Sequence, residues 1–178
     1  MKRCGILSIA LALLLLTGCG ARAQEEKFLA YQQELSQNQA MSFTANIRAE
    51  YEDQVQEYTL KFQKTPEESV TEIVAPELLA GIRARIKAGE VELQYDGAQL
   101  SAGALPGGLT PLSALPFLAE ALEKGHLESA WREGEAAVFQ ITRSDDLSVT
   151  AWFDEKMDLY HAEIQSSGKV VVYCDIIT

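Results

Sequence analysis

The 178-residue sequence predicts an α+β domain: a strongly curved antiparallel sheet, an open half β-barrel of about ten strands, with two helices covering its concave face. Three observations carry that reading. From Met41 onward, apolar and polar residues alternate with a period of two through most of the chain, as strands with one wet face require. Two stretches break the alternation, and in both the apolar residues recur at helical spacing. The turns between alternating runs are short, which makes consecutive strands antiparallel neighbours. Composition agrees, because 47% hydrophobic and 23% charged residues exclude a mostly disordered chain. The 26 acidic residues against 15 Lys plus Arg give a formal charge of −11. A nucleic-acid surface, which needs clustered Lys and Arg, is excluded on that ground.

Before the domain comes an address. Lys2 and Arg3 form a positive start, and an apolar run from Ile6 to Leu16 is interrupted only by Ser8. The run is shorter than the roughly 18–20 residues that cross a bilayer as a helix, so it reads as an export signal, residues 1–18. It ends in Leu16-Thr17-Gly18-Cys19, which resembles the lipobox of bacterial lipoproteins. In that family the Cys thiol receives a diacylglyceryl group and the chain is cut before it; palmitate is the kind of acyl chain implied. Two acyl chains on one thiol anchor far more firmly than one. The alternative is a cut after Ala21-Arg22-Ala23, which would release an unlipidated domain. Of the three cysteines, Cys4 leaves with the signal and Cys19 takes the lipid, so Cys174 remains without a disulfide partner. It sits in the alternation Val170, Val172, Cys174, Ile176 and reads as a small buried hydrophobe. Removing Lys2 and Arg3 leaves 13 basic against 26 acidic residues. The lipid, rather than an acidic surface, must then hold the membrane.

Residues 19–24 are read as lipidated Cys and a short tether, whose Gly20–Gln24 part reaches at most about 15–18 Å, and residues 25–178 as a single domain. Glu25 to Gln37 is a helix, with Phe28, Tyr31 and Leu35 on one side. Phe43, Ala45, Ile47, Ala49 and Tyr51 then share a strand face, and Tyr58, Leu60 and Phe62 follow after the polar turn Glu52-Asp53-Gln54. Val70 to Val74 is a third strand, closed by Ala75-Pro76, and Leu78 to Gly81 a turn or short helix. Ile82 to Ile86 and Val91 to Tyr95 form a hairpin. Asp96-Gly97 turns into Ala98–Ser101, because both turn positions tolerate positive φ. The stretch Gly103–Gly108 breaks the sheet. Thr110 and Pro111 are N-cap and first position of a second helix, Leu115, Leu118 and Leu122 its stripe, and Gly125 its end. Pro116 should kink or restart its first turn. Strands at Ala136–Arg143, Leu147–Asp154, Leu159–Gln165 and Lys169–Ile176 complete the chain.

Little in the sequence carries chemistry. His126 and His161 are the only histidines, and neither has a second His or Cys at ligand spacing, so no metal site is expected. No Gly-x-Ser-x-Gly elbow or phosphate loop occurs. The pairs Glu25-Glu26, Glu67-Glu68 and Asp145-Asp146 sit at element ends, and neighbours in a strand point to opposite faces, which is poor geometry for shared acid–base work. No cofactor is expected beyond covalent lipid on Cys19, and the chain reads as a non-enzyme.

The order of elements resembles the LolA-like superfamily of envelope proteins, which includes the LolB and RseB types and clostridial lipoproteins such as GerS. The resemblance rests on a helix before the first long strand, on Ala75-Pro76-Glu77-Leu78-Leu79-Ala80-Gly81-Ile82, on Leu93-Gln94-Tyr95-Asp96-Gly97, and on Trp152-Phe153-Asp154 before the last hairpin. It implies a half barrel that binds acyl chains or protein partners without catalysis, exported and tethered to a membrane. Phe43, Ile47, Tyr58, Leu60, Phe62, Val91 and Leu93 are expected to line the concave face, with Leu118 and Leu122 above them. Two function classes stay open. One is a site for an acyl chain or lipoprotein in that cleft; the other is a GerS-like scaffold that assists an envelope or spore-cortex peptidoglycan amidase.

Overall fold

The alternation read from the sequence folds as one antiparallel sheet. The computed structural model describes residues 18–38, 40–51, 54–104, 109–144 and 146–177. The expectations for the signal segment up to residue 17, for Glu52-Asp53, for residues 105–108 and for Asp145 fall outside these residues. The elements are α1 (Gly18–Asn38), β1 (Met41–Tyr51), β2 (Gln54–Lys64), β3 (Glu68–Ala75), a 3-10 turn (Glu77–Leu79), β4 (Arg83–Lys87), β5 (Glu90–Tyr95), β6 (Ala98–Ala104), α2 (Pro111–Lys124), β7 (His126–Glu133), β8 (Ala136–Ser144), β9 (Leu147–Phe153), β10 (Leu159–Ser166) and β11 (Lys169–Ile177). Strand order is β6-β5-β4-β3-β2-β1-β11-β10-β9-β8-β7, so two meanders meet where β1 pairs with β11.

The described residues form eleven strands, in line with the about ten expected. The additional one is β7. A register shift between Leu127 and Ser129 moves its apolar phase, so Leu127 and Ala130 share the inner face without sharing a period of two. The stretch Gly20–Gln24, read as a tether, belongs to α1, and Gln24 is already buried. α2 runs unbroken through Pro116, which is buried inside it, instead of restarting there. Its N-terminus is a capping box: Thr110 Oγ1 accepts from Ser113 N at 3.2 Å and Ser113 Oγ accepts from Thr110 N at 2.8 Å. At its end the Gly125 N–H donates to Ala121 O at 2.8 Å. A Cβ on Gly125 would run into Ile141 and the Ala121 carbonyl, which is why only glycine fits.

The inner face follows from register. Phe43 stands opposite Phe62, Ala45 opposite Leu60 and Ile47 opposite Tyr58, while Ile47 also faces Cys174 on β11. α2 lies in the hollow of the sheet, against β1–β3 on one side and β8–β10 on the other, and α1 packs on β7 and α2. Leu115, Leu118 and Leu122 are completely buried there together with Leu60, Phe62, Phe139, Ile141 and Phe153. A large apolar side chain so enclosed contributes about 1.5–3 kcal/mol. Phe28 carries α1 into this core, its ring 4.7 Å from that of Phe139 between centroids, and Tyr31 meets Phe153 edge-on at 5.0 Å. No helix of the described residues is long and apolar enough to cross a membrane.

Candidate functional site

Two surfaces of the sheet are candidates, and the first is the concave face singled out in the sequence. Ile47, Leu60, Phe62, Leu118 and Leu122 come together in one fully buried cluster, with Phe43 and Tyr58 half-buried against it. Val91 and Leu93 share that sheet face by register, since Leu93 pairs with Ala84, Ala84 with Thr71 and Thr71 with Phe62. Both stand on β5, three strands out from β2, and are not part of the cluster that α2 completes. Val91 is buried, Leu93 half-buried, and Leu100 opposite Leu93 on β6 is 65% exposed. The concave face is therefore filled by α2 at its centre and apolar but uncovered at the β6 edge.

The second surface is the convex face of β7–β11, which sequence reasoning passed over. Because Val149, Ala151 and Phe153 point inward, Trp152 points outward. Cross-strand register puts Trp131, Val138, Trp152, His161, Asp175 and Asn46 in one row across six strands. Trp152 Nε1 donates to Glu133 Oε2 at 3.0 Å and Trp131 Nε1 to Glu133 Oε1 at 2.8 Å. One exposed carboxylate is thus held by two indole N–H groups from strands two apart, and Val138 between those strands is completely buried. The Trp152 and Trp131 hydrogen bonds hold the Glu133 carboxyl below the usual carboxylate range, since both favour the charged form. His161 meets the Trp152 ring edge-on at 5.0 Å. Its Nδ1 lies 2.7 Å from Asp175 Oδ1 and its Nε2 3.7 Å from Glu163 Oε1. His126 opens β7 and is exposed.

The signal for this cluster was in the sequence, as a large aromatic on the polar phase of a strand. Its partners were not, because Glu133, Trp131 and His161 reach Trp152 only through cross-strand register. Among the described residues no group of three or more His, Cys, Asp and Glu is placed to hold a metal ion. Cys174 is completely buried, and burial pushes its thiol well above the usual range, so it is inert as a nucleophile.

Neither a protein-family model nor a curated protein matches the chain. Among solved structures it is similar to a LolA superfamily protein from Nitrosomonas europaea, at 16% identity over 86% of this chain and 91% of that one, with a TM-score of 0.49. It is similar to a chain of the CwlD amidase–GerS lipoprotein complex from Clostridioides difficile, at 11% identity over 83% and 88%, with a TM-score of 0.43. The Mycobacterium tuberculosis lipoprotein LppX is similar at 11% identity over 85% and 94%, with a TM-score of 0.40.

Proposed function

We propose that this chain is an exported lipoprotein, anchored through lipid on Cys19, that binds a protein partner in the cell envelope and catalyses no reaction. What supports the partner half of this reading is the packing of α2. Leu115, Leu118 and Leu122 fill the hollow of the sheet with no exposed surface left, so the centre of the half barrel is a core rather than a vacant cleft. A protein partner then meets the outer surfaces. This is the scaffold role expected from the GerS-like resemblance, an envelope amidase being one such partner. The anchor rests on Leu16-Thr17-Gly18-Cys19. Because Gln24 and Phe28 are already packed, the five helical steps from Cys19 to Gln24 rise only about 7–8 Å, so the domain sits close against the membrane.

One observation favours a second reading, a site for an acyl chain or lipoprotein. The flank carrying Val91, Leu93 and exposed Leu100 is apolar surface of the kind such a ligand covers. Native mass spectrometry of the full chain, purified in mild detergent, separates the two. The expected result is a covalent lipid increment that Cys19→Ala abolishes, with no further lipid retained. Non-covalent acyl lipid carried by the Cys19→Ala protein would overturn the partner reading, and an unmodified wild type would overturn the anchor.

A further inference from the structure

Two neighbouring turns lie at one end of the sheet, Gly134-Glu135 between β7 and β8, and Asp154–Asp158 between β9 and β10. A groove of about 370 Å³ opens between them, lined by Glu135, Ala136, Asp154, Glu155, Lys156 and Tyr160. Ala136 stands opposite Glu133, so the groove abuts the carboxylate that the two indoles hold. Three carboxylates, Glu135, Asp154 and Glu155, line the groove beside Lys156, and Glu133 stands at its margin. Arg132 is engaged, donating to the Glu135 carbonyl at 2.7 Å. Asp154 is fixed in place, its Oδ1 accepting from the backbone of Lys156 at 2.8 Å and of Asp158 at 2.9 Å.

The chemistry of this end is one-sided. The indole N–H donors are already spent on Glu133, which leaves fixed anionic acceptors beside half-exposed aromatic rings. That pairing suits a cation, because an ammonium or guanidinium group is attracted both by a carboxylate and by the face of Trp. A neutral glycan would need donors as well as acceptors from its platform. The chain's formal charge of −11 adds long-range attraction of a basic partner to the molecule.

We propose that the Trp131–Glu133–Trp152 cluster and the adjoining groove bind an arginine or lysine side chain presented by a basic segment of a protein partner. The inference rests on the protein-partner reading above and names the chemistry of that partner. Trp131 and Trp152 are the only two tryptophans in the chain, so indole fluorescence reports directly on the site.

The test titrates the full chain in detergent with a synthetic arginine–glycine repeat peptide, and separately with chitohexaose. The peptide is expected to change tryptophan emission saturably, with an affinity that falls as salt is raised. Glu133→Gln should weaken it at least tenfold. Trp152→Phe, a milder change, should keep the fold by circular dichroism while weakening binding. No response to the peptide, or a response indifferent to salt and to Glu133→Gln, overturns the proposal. A response to chitohexaose alone replaces the cation with a glycan and overturns it too. Failure here leaves the mass-spectrometric result for the interior untouched, so it is distinguishable from failure of the partner reading.

Discussion

The two edges of the sheet are guarded differently. β7, at one edge, reads His126-Leu127-Glu128-Ser129-Ala130-Trp131-Arg132-Glu133. It carries three charged residues and a register shift, and α1 packs against it. β6, at the other, reads Ala98-Gln99-Leu100-Ser101-Ala102-Gly103-Ala104 and carries no charge. Among the described residues it shares only the register shift, opposite Val91 and Glu92. Charge, irregularity and a covering helix are the usual devices that keep an edge from pairing with another chain. The β7 edge has all three. The lesson is that the largest buried side chains lie under the helices, whereas the β6 flank carries the exposed Leu100 and is expected to tolerate change.

Substitutions can break or sharpen that contrast. The largest effect is expected at Leu118→Ala, which should cost about 2–5 kcal/mol in chemical denaturation because α2 fills the hollow as core. A cost below about 1.5 kcal/mol would mean that the helix is a lid over tolerated space.

Next comes Tyr31, whose hydroxyl is pushed up to about 12 by burial first and by the Asp158 and Glu34 charges second. The unfolded chain ionises near 10, so the folded state loses stability as pH rises from about 10 to 12, by roughly 2–3 kcal/mol. Tyr31→Phe should remove that part of the loss, read as a shallower pH dependence of the denaturation midpoint.

Gly125→Ala should cost about 1–3 kcal/mol, because the added methyl meets Ile141 and the Ala121 carbonyl. The smallest change belongs to the open flank. Leu100→Lys should move stability by less than about 0.5 kcal/mol. A cost above 1 kcal/mol there, measured the same way, would show the β6 flank to be core after all.

Much of this was legible in the sequence, and the reasons are local. β1 and β2 are long alternating runs, Thr110-Pro111 marks the start of α2, and Asp96-Gly97 turns with both residues at positive φ, 46° and 79°. β7 escaped because its register shift hides the alternation behind Leu127 and Ala130. The extent of α1 escaped because Gly18-Cys19-Gly20-Ala21-Arg22-Ala23 has no apolar stripe, although Gln24 and Phe28, one turn apart, are both buried. On the concave face, shared orientation was readable from the period of two. The division between the cluster under α2 and the flank at Val91 and Leu93 was not, since it depends on where a helix lies across strands distant in sequence.

The pairing of β1 with β11 has a consequence for the order of events in folding. The first strand of the sheet to be synthesised lies beside the last, and the two meanders they terminate are joined through that single ladder. Until Lys169–Ile177 is available, β1 has one open side and the core beneath α2 lacks Val172 and Cys174. Such long-range closure makes for slow folding and a long exposure of strand edges. The sheet therefore cannot seal until its final strand, Lys169–Ile177, has followed the rest.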